Sequence, residues 1–266
     1  MAWFNSGGIE IYFKVFEPRK KNLVDVQNII FAHGAGGNSA VWFNQTKYFS
    51  RDYRCVVFDH RGFARSSGDI NSMNVLNFRD DLIHLMDHLR IRKAHLVGQS
   101  MGGYTALRCA LDFPERVLSL ILSGSSGGIV SDRLIEHRKK TTDKKKADKL
   151  WKTGWSQKSQ TNLGLIHLFE AISDFNVNLN KDKLLWNLHH LERPVSLAHL
   201  SNLKTPTLII NGIEDTIFPS ELLETFIPFF TNAEGCFLED CGHSPFCEKP
   251  DEFNQYVWSH IKNFRK

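Results

Sequence analysis

The stretch Val97-Gly98-Gln99-Ser100-Met101-Gly102-Gly103 constrains this chain more than any other. It follows a short apolar run, Ala94 to Val97, and precedes a helix-prone segment, Tyr104 to Leu111. A strand that turns sharply into a helix with a serine at the apex holds that serine in strained backbone. Glycines two positions before and two after it remove the side chains that would clash there. The helix that follows points free N–H groups and the positive end of its dipole toward any anion formed beside Ser100. Gly-x-Ser-x-Gly alone arises by chance in roughly one chain of this length in ten. The flanking strand and helix signals separate it from an ordinary Gly-rich turn.

The rest of the chain supplies the setting for such a turn. Residues 2–16 read as a hairpin around Asn5-Ser6-Gly7-Gly8, with Ile9 to Phe16 extended and rich in β-formers. Asn28 to Ala32 is a short apolar strand, broken by His33-Gly34-Ala35-Gly36-Gly37-Asn38, after which Ser39 is positioned to cap a helix to about Ser50. Arg54 to Phe58 is the next strand, followed by Asp59-His60-Arg61-Gly62. Over 74–90, Val75, Phe78, Leu82, Leu85, Met86 and Leu89 recur at helical spacing. The helix after Ser100 stops at Asp112-Phe113-Pro114, and Val117 to Leu122 is a further strand. From Gly127 to Lys204 no strand is evident, and the segment is rich in helix formers, Trp and charge. Thr207 to Asn211 resumes the rhythm, with a helix near 219–230, a strand at Cys236 to Glu239 and a last helix from Pro250 to Phe264. Apolar strands alternating with helices predict a mostly parallel sheet covered by helices on both faces. The expected organisation is a core of residues 1–126 and 205–266, carrying a helical cap inserted over 127–204.

Composition closes off other classes. At 266 residues, 42% hydrophobic with 20 Phe and 6 Trp, the chain supports one large core. Its N-terminus lacks a basic segment followed by an apolar one, so no signal peptide is expected, and no apolar run reaches membrane-spanning length. Five cysteines, an odd number without C-x-x-C spacing, predict neither a metal site nor a disulfide framework and point to a reducing, cytoplasmic setting. The net charge of +4 is concentrated, because residues 133–149 hold eight basic residues against three acids. The segment reads as the solvated face of an exposed element, or as a means of steering an anionic substrate, rather than a nucleic-acid surface.

Four motifs, in this order and at the ends of predicted strands, resemble the α/β-hydrolase superfamily along nearly the whole chain. They are His33-Gly34-Ala35-Gly36-Gly37, Asp59-His60-Arg61-Gly62, Gly98 to Gly103, and Gly242-His243-Ser244-Pro245-Phe246. The resemblance is to the capped serine hydrolases, which include small esterases, lactonases and ring-cleavage-product hydrolases. It implies an α/β-hydrolase fold and an acyl-enzyme mechanism without cofactor or metal.

A serine hydroxyl needs a base within hydrogen-bond reach to act as a nucleophile. Of twelve histidines, His243 follows the last strand in a Gly-His turn and completes the superfamily order Ser, Asp/Glu, His. Asp215, with Gly-x-x-Asp spacing after the 207–211 strand, matches the acid, and Glu214 is the runner-up. Asp240 reads as a turn residue, Asp59 with Arg61 as a structural turn, and His33 as support for the Gly-rich loop. The oxyanion donors implied are the backbone N–H groups of Met101 and Ala35. Trp151, Trp155, Phe169 and Trp186 in the inserted segment are candidates to wall an apolar substrate pocket. His189 and His190 read as a solvated helix surface.

These readings converge on a serine hydrolase of small-to-medium apolar esters or lactones, acting on a small molecule as a monomer or homodimer. Carbon–carbon hydrolysis of ring-cleavage products stands second, weakened because those relatives usually carry Trp where Ser244 stands. A receptor that retains the triad to sense a ligand is the alternative from another class.

Overall fold

The computed structural model describes residues 2–20, 25–141, 154–177 and 179–264. Eight strands form one sheet: β1 (Ala2–Ser6), β2 (Ile9–Phe16), β3 (Asn28–Ala32), β4 (Arg54–Phe58), β5 (Ala94–Gln99), β6 (Val117–Ser123), β7 (Thr207–Gly212) and β8 (Ala233–Leu238). Their order is β1-β2-β4-β3-β5-β6-β7-β8. The first two pairings, β1 with β2 and β2 with β4, are antiparallel, and every other pairing is parallel.

Strand alternation divides the core in two. Ile30, Val56, Phe58, Leu96, Leu120 and Ile209 face one side of the sheet. Ile29, Phe31, Val57, Val97, Ile121 and Ile210 face the other. Helices α2 (Val75–His88) and α3 (Met101–Asp112) bring Phe78, Leu82, Leu85 and Leu107 to the first side. Helices α1 (Phe43–Phe49) and α11 (Pro250–Lys262) bring Phe49, Phe253 and Val257 to the second. Both faces are therefore sealed, which is why each strand reads as a continuous apolar run.

Between β6 and β7 lie α4 (Asp132–Thr141), α5 (Gln157–Gln160), α6 (Leu163–Ser173), α7 (Lys181–His189) and α8 (Leu197–Leu200). The ends of this segment are tied together by the bridge Ile129–Val195, through Val130 N–H to Val195 O at 2.9 Å and Val195 N–H to Gly128 O at 3.1 Å. Two short helices complete the chain, α9 (Ser220–Glu224) and α10 (Pro245–Glu248).

Three local expectations are corrected. Asn38, not Ser39, caps the turn after β3, its Oδ1 accepting from Ala40 N–H at 3.0 Å, while the Ser39 hydroxyl accepts from Arg65 at 2.9 Å instead. The helix expected near 219–230 is α9 followed by a separate 3-10 turn, Ile227–Phe229, since Pro228 lacks the N–H a continuous helix would use. The last strand starts at Ala233 and ends at Leu238, paired along its length with β7.

The sheet positions the site through its order. The chain leaves β3 to form β4 on one side and returns to form β5 on the other. The loops after β3 and β5 meet at that switch point, Gly34 packing against Gln99 and Ser100 at the carboxyl ends of the strands, where ligands of open α/β sheets bind.

Candidate active site

Ser100 stands at that switch point with φ 50° and ψ −115°, a conformation few non-glycine residues adopt. The surroundings impose it. A methyl group on Gly98 would sit 2.3 Å from the Gly102 carbonyl oxygen, and one on Gly102 would sit 2.1 Å from that of Ala32. The backbone of Ser100 is held on both sides. Its N–H donates to Ser123 O at 2.9 Å, and its carbonyl accepts from the Ser125 hydroxyl at 2.6 Å and from Gly103 N–H at 2.9 Å. Met101 is the first residue of α3, whose N–H has no partner within the helix.

Ala35 lies in the loop after β3, closed by Gly37 N–H to Gly34 O at 3.1 Å. His33 supports that loop from below. Its Nε2 accepts from His60 N–H at 3.0 Å, which puts the ring proton on Nδ1, and Nδ1 donates to Gly34 O at 2.8 Å. His33 and His60 are both fully buried, their rings 4.5 Å apart. Burial lowers the His33 pKa to about 4, partly opposed by Asp59, and burial together with His33 lowers that of His60 as well.

That pair has a consequence for stability. Unfolded histidine binds a proton near pH 6.5, whereas folded His33 does so only near 4. The stability these rings contribute is complete above pH 6.5 and is lost as pH falls toward their lowered folded values. Melting temperature should therefore drop between pH 6.5 and 5, above the range where carboxylates titrate. The drop should be shallower in His33→Gln. A flat profile over that window would contradict neutral, buried rings.

His243 and Asp215, 28 residues apart in sequence, meet at 2.9 Å between Nδ1 and Oδ2. The Asp215 side chain is fully buried, and its Oδ1 accepts from Ile217 N–H at 2.8 Å and Phe218 N–H at 3.0 Å. The carboxylate is thus fixed by its own turn and fixes the imidazole in turn, holding the proton on Nδ1 and leaving Nε2 as an acceptor. Gln99, next to Ser100, donates to the His243 carbonyl at 3.2 Å, which links the two loops. Glu214 points elsewhere. Its Oε2 accepts from Gln157 N–H at 2.7 Å and anchors the start of α5. Asp59 pairs with Arg65 at 2.9 Å, and Arg61 pairs with Asp81 at 2.7 Å, so that motif braces a turn. Asp240 is exposed at φ 46°.

Residues that carry no motif also hold the site. The Glu248 carboxylate accepts from Gly242 N–H and Ser244 N–H, each at 3.1 Å, on either side of His243. It also accepts from Ser156 N–H at 2.9 Å. His243 N–H donates to Gly154 O at 2.6 Å, so the middle of the inserted segment is stitched onto the histidine loop. Further along the same segment, Asn38 donates to Ile172 O at 2.7 Å and Asn176 to Gly37 O at 3.1 Å. An acid five residues after His243 was the only sequence trace of Glu248. Asn38 and Asn176 left none.

Of the aromatic candidates, Trp155 is buried and its ring meets Phe169 edge-on at 5.2 Å. Phe169 lies over the Gly-rich loop, since a methyl group on Gly36 would touch its ring at 3.7 Å. Trp186 is placed differently. It is 52% exposed, stacked on His190 at 4.3 Å with Lys183 over its ring, and borders a surface cavity of about 310 Å³ beside Asn71, Asn74 and Arg193. The apolar side of α7 is formed by Leu184 and Leu188, which leaves Trp186 outside. Trp151, and residues 142–149 of the basic run, lie outside the described residues. Among the described residues no group of three or more His, Cys, Asp or Glu could hold a metal ion, and no helix is long and apolar enough to cross a membrane.

Residues 27–158 match the family described as the alpha/beta hydrolase fold. A putative carbamate hydrolase RutD of Pseudomonas savastanoi pv. phaseolicola is 27% identical over 242 residues, 87% of this chain and 92% of that protein. A 2-hydroxy-6-oxononadienedioate/2-hydroxy-6-oxononatrienedioate hydrolase of Escherichia coli is 29% identical over 258 residues, 87% of this chain and 85% of that protein. Among solved structures, an enol-lactonase from Burkholderia xenovorans superposes with a TM-score of 0.81 at 20% identity, covering 98% of this chain and 100% of that one. A thermophilic esterase from Thermogutta terrifontis gives 0.81 at 23% identity, covering 99% and 97%. The sheet order and these matches lead to one assignment: the chain has the α/β-hydrolase fold.

Proposed function

We propose that this protein is a serine hydrolase of small-to-medium apolar carboxylic esters or lactones, and that residues 127–204 form a cap over its site. The observation that carries the reading is the buried Asp215–His243 pair at 2.9 Å, tied through Gln99 to the strained turn that presents Ser100. Ser100 Oγ attacks the carbonyl carbon while His243 Nε2 takes its proton. The oxyanion is met by the N–H groups of Ala35 and Met101, and His243 returns the proton to the leaving oxygen. Water, deprotonated by the same ring, then releases the acid and restores Ser100. Asp215 stays ionised throughout and stabilises the imidazolium.

The substrate preference rests on Trp155 and Phe169. The two rings meet, and Phe169 overlies the loop that carries Ala35. Apolar walls over the serine exclude water and favour an apolar acyl group, each buried methylene contributing about 0.8 kcal/mol. With p-nitrophenyl esters, kcat/KM should rise by about tenfold from acetyl to butyryl and fall again for chains too long for the cap to admit. A lactone should be cleaved and a peptide amide poorly. Flat or falling rates from acetyl onward, or faster peptide cleavage, would overturn the reading.

Carbon–carbon hydrolysis is the second reading, favoured by the 29% identity to the 2-hydroxy-6-oxononadienedioate hydrolase. Ser244 argues against it. Turnover of a vinylogous 1,5-diketone faster than of any ester would move the assignment there.

A further inference from the structure

A second concavity lies between β2 and α1, and no residue proposed for catalysis lines it. Along β2, Tyr12, Lys14 and Phe16 share one face, and the antiparallel register sets Lys14 opposite Val57 of β4. The step from that face up to α1 borders an open cavity of about 470 Å³. Four charged side chains line it, Lys14, Arg19, Lys47 and Arg65, and all are cationic.

The neighbouring carboxylates are already committed. Asp59 is fully buried behind Arg65, Glu17 pairs with Arg54 at 3.1 Å, and Asp52 holds Lys20 at 2.7 Å and Arg51 at 2.9 Å. Among the described residues, Lys14, Arg19 and Lys47 have no carboxylate partner. Lys14 Nζ instead lies 4.5 Å from the Phe16 ring centre, and Arg19 donates to the Lys47 carbonyl. Three uncompensated cations around one concave space repel each other and focus positive potential into it. A bound anion relieves that repulsion.

The walls add a second requirement. Phe43 is 42% exposed at the rim, and Phe16 is half-buried below it. Open aromatic faces next to cationic groups suit a ligand that is planar and apolar at one end and multiply charged at the other. The volume falls within the range of small-molecule sites. We propose that this cavity binds a small organic polyanion with a planar apolar group, the chemistry of a nucleoside polyphosphate. Lys14, Arg19 and Lys47 take its phosphates, and Phe43 stacks on its ring. The proposal is independent of the reading of Ser100.

Isothermal titration of the full chain with ATP, tripolyphosphate and adenosine tests it. Saturable binding of ATP at one site is expected, weakening as salt rises. Lys14→Glu and Lys47→Glu should each reduce affinity at least tenfold. Phe43→Ala should weaken ATP and leave tripolyphosphate unchanged. Hydrolysis of p-nitrophenyl butyrate should be the same in all three variants and the parent. Three results would overturn the proposal. They are no binding of ATP, ATP binding untouched by the two lysine changes (which would place it on another basic surface such as 133–149), or equal affinity for ATP and tripolyphosphate with no effect of Phe43→Ala. Capture by phosphatidylglycerol vesicles that ATP fails to compete would also overturn it, as a membrane-facing surface.

Discussion

Ser100→Ala reduces kcat on p-nitrophenyl butyrate by about 10⁶, to the level that binding and oxyanion stabilisation alone supply. In the proposed mechanism Ser100 Oγ is the oxygen that forms the acyl bond, so the loss is complete for covalent turnover. The fold should hardly register the change. The strain at φ 50° belongs to the backbone, which Gly98 and Gly102 and the bonds to Ser123 and Ser125 maintain without the hydroxyl. Alanine tolerates that conformation no worse than serine, so the melting temperature should stay within about 2 °C, equivalent to a few tenths of a kcal/mol. The measurement is steady-state hydrolysis, fluorophosphonate labelling and a thermal melt on one preparation. Activity above a few per cent, or continued labelling, would remove Ser100 as nucleophile. The parent must also turn over repeatedly. A single burst without turnover would favour a ligand-sensing receptor that retains the triad.

The second large effect separates the two adjacent acids. Asp215→Asn keeps an acceptor for Ile217 and Phe218 N–H but turns an amide donor toward His243 Nδ1. The ring must then carry its proton on Nε2, where it can no longer take one from serine. A loss of about 10³–10⁴ in kcat is expected, with KM little changed. Glu214→Gln preserves an oxygen for Gln157 N–H and should cost no more than a fewfold. The side-by-side comparison is decisive because both residues sit in one turn, so damage to that turn would affect both. If the Glu214 change were the costlier, the acid assignment would move to Glu214.

Much of this architecture was legible before any coordinates. The strand at Asn28 to Ala32, the hairpin at 2–16 and the α2 periodicity all rest on interactions within one element. Elements that depend on neighbours were read less well. The 219–230 segment has helix-forming residues but splits at Pro228, and Asn38 rather than Ser39 caps the turn after β3, the Ser39 hydroxyl accepting from Arg65. Trp186 looked like any other apolar residue of the inserted segment, but which side of α7 faces inward is set by what packs on Leu184 and Leu188.

The sequence by itself determined the sheet's alternation, the glycine-flanked elbow at Ser100 and the order of serine, acid and histidine. Each is written in local spacing, and local spacing dictates backbone conformation directly. Only the tertiary structure decided that Asp215 rather than Glu214 faces His243, since neighbouring carboxylates in one turn point in opposite directions. Only it revealed Glu248 gripping Gly242, Ser244 and Ser156, or Asn38 reaching Ile172 across 134 positions. These contacts satisfy buried backbone groups of loops that meet only after the chain has folded, and a polar group needs a partner of suitable geometry, not one at a fixed sequence distance.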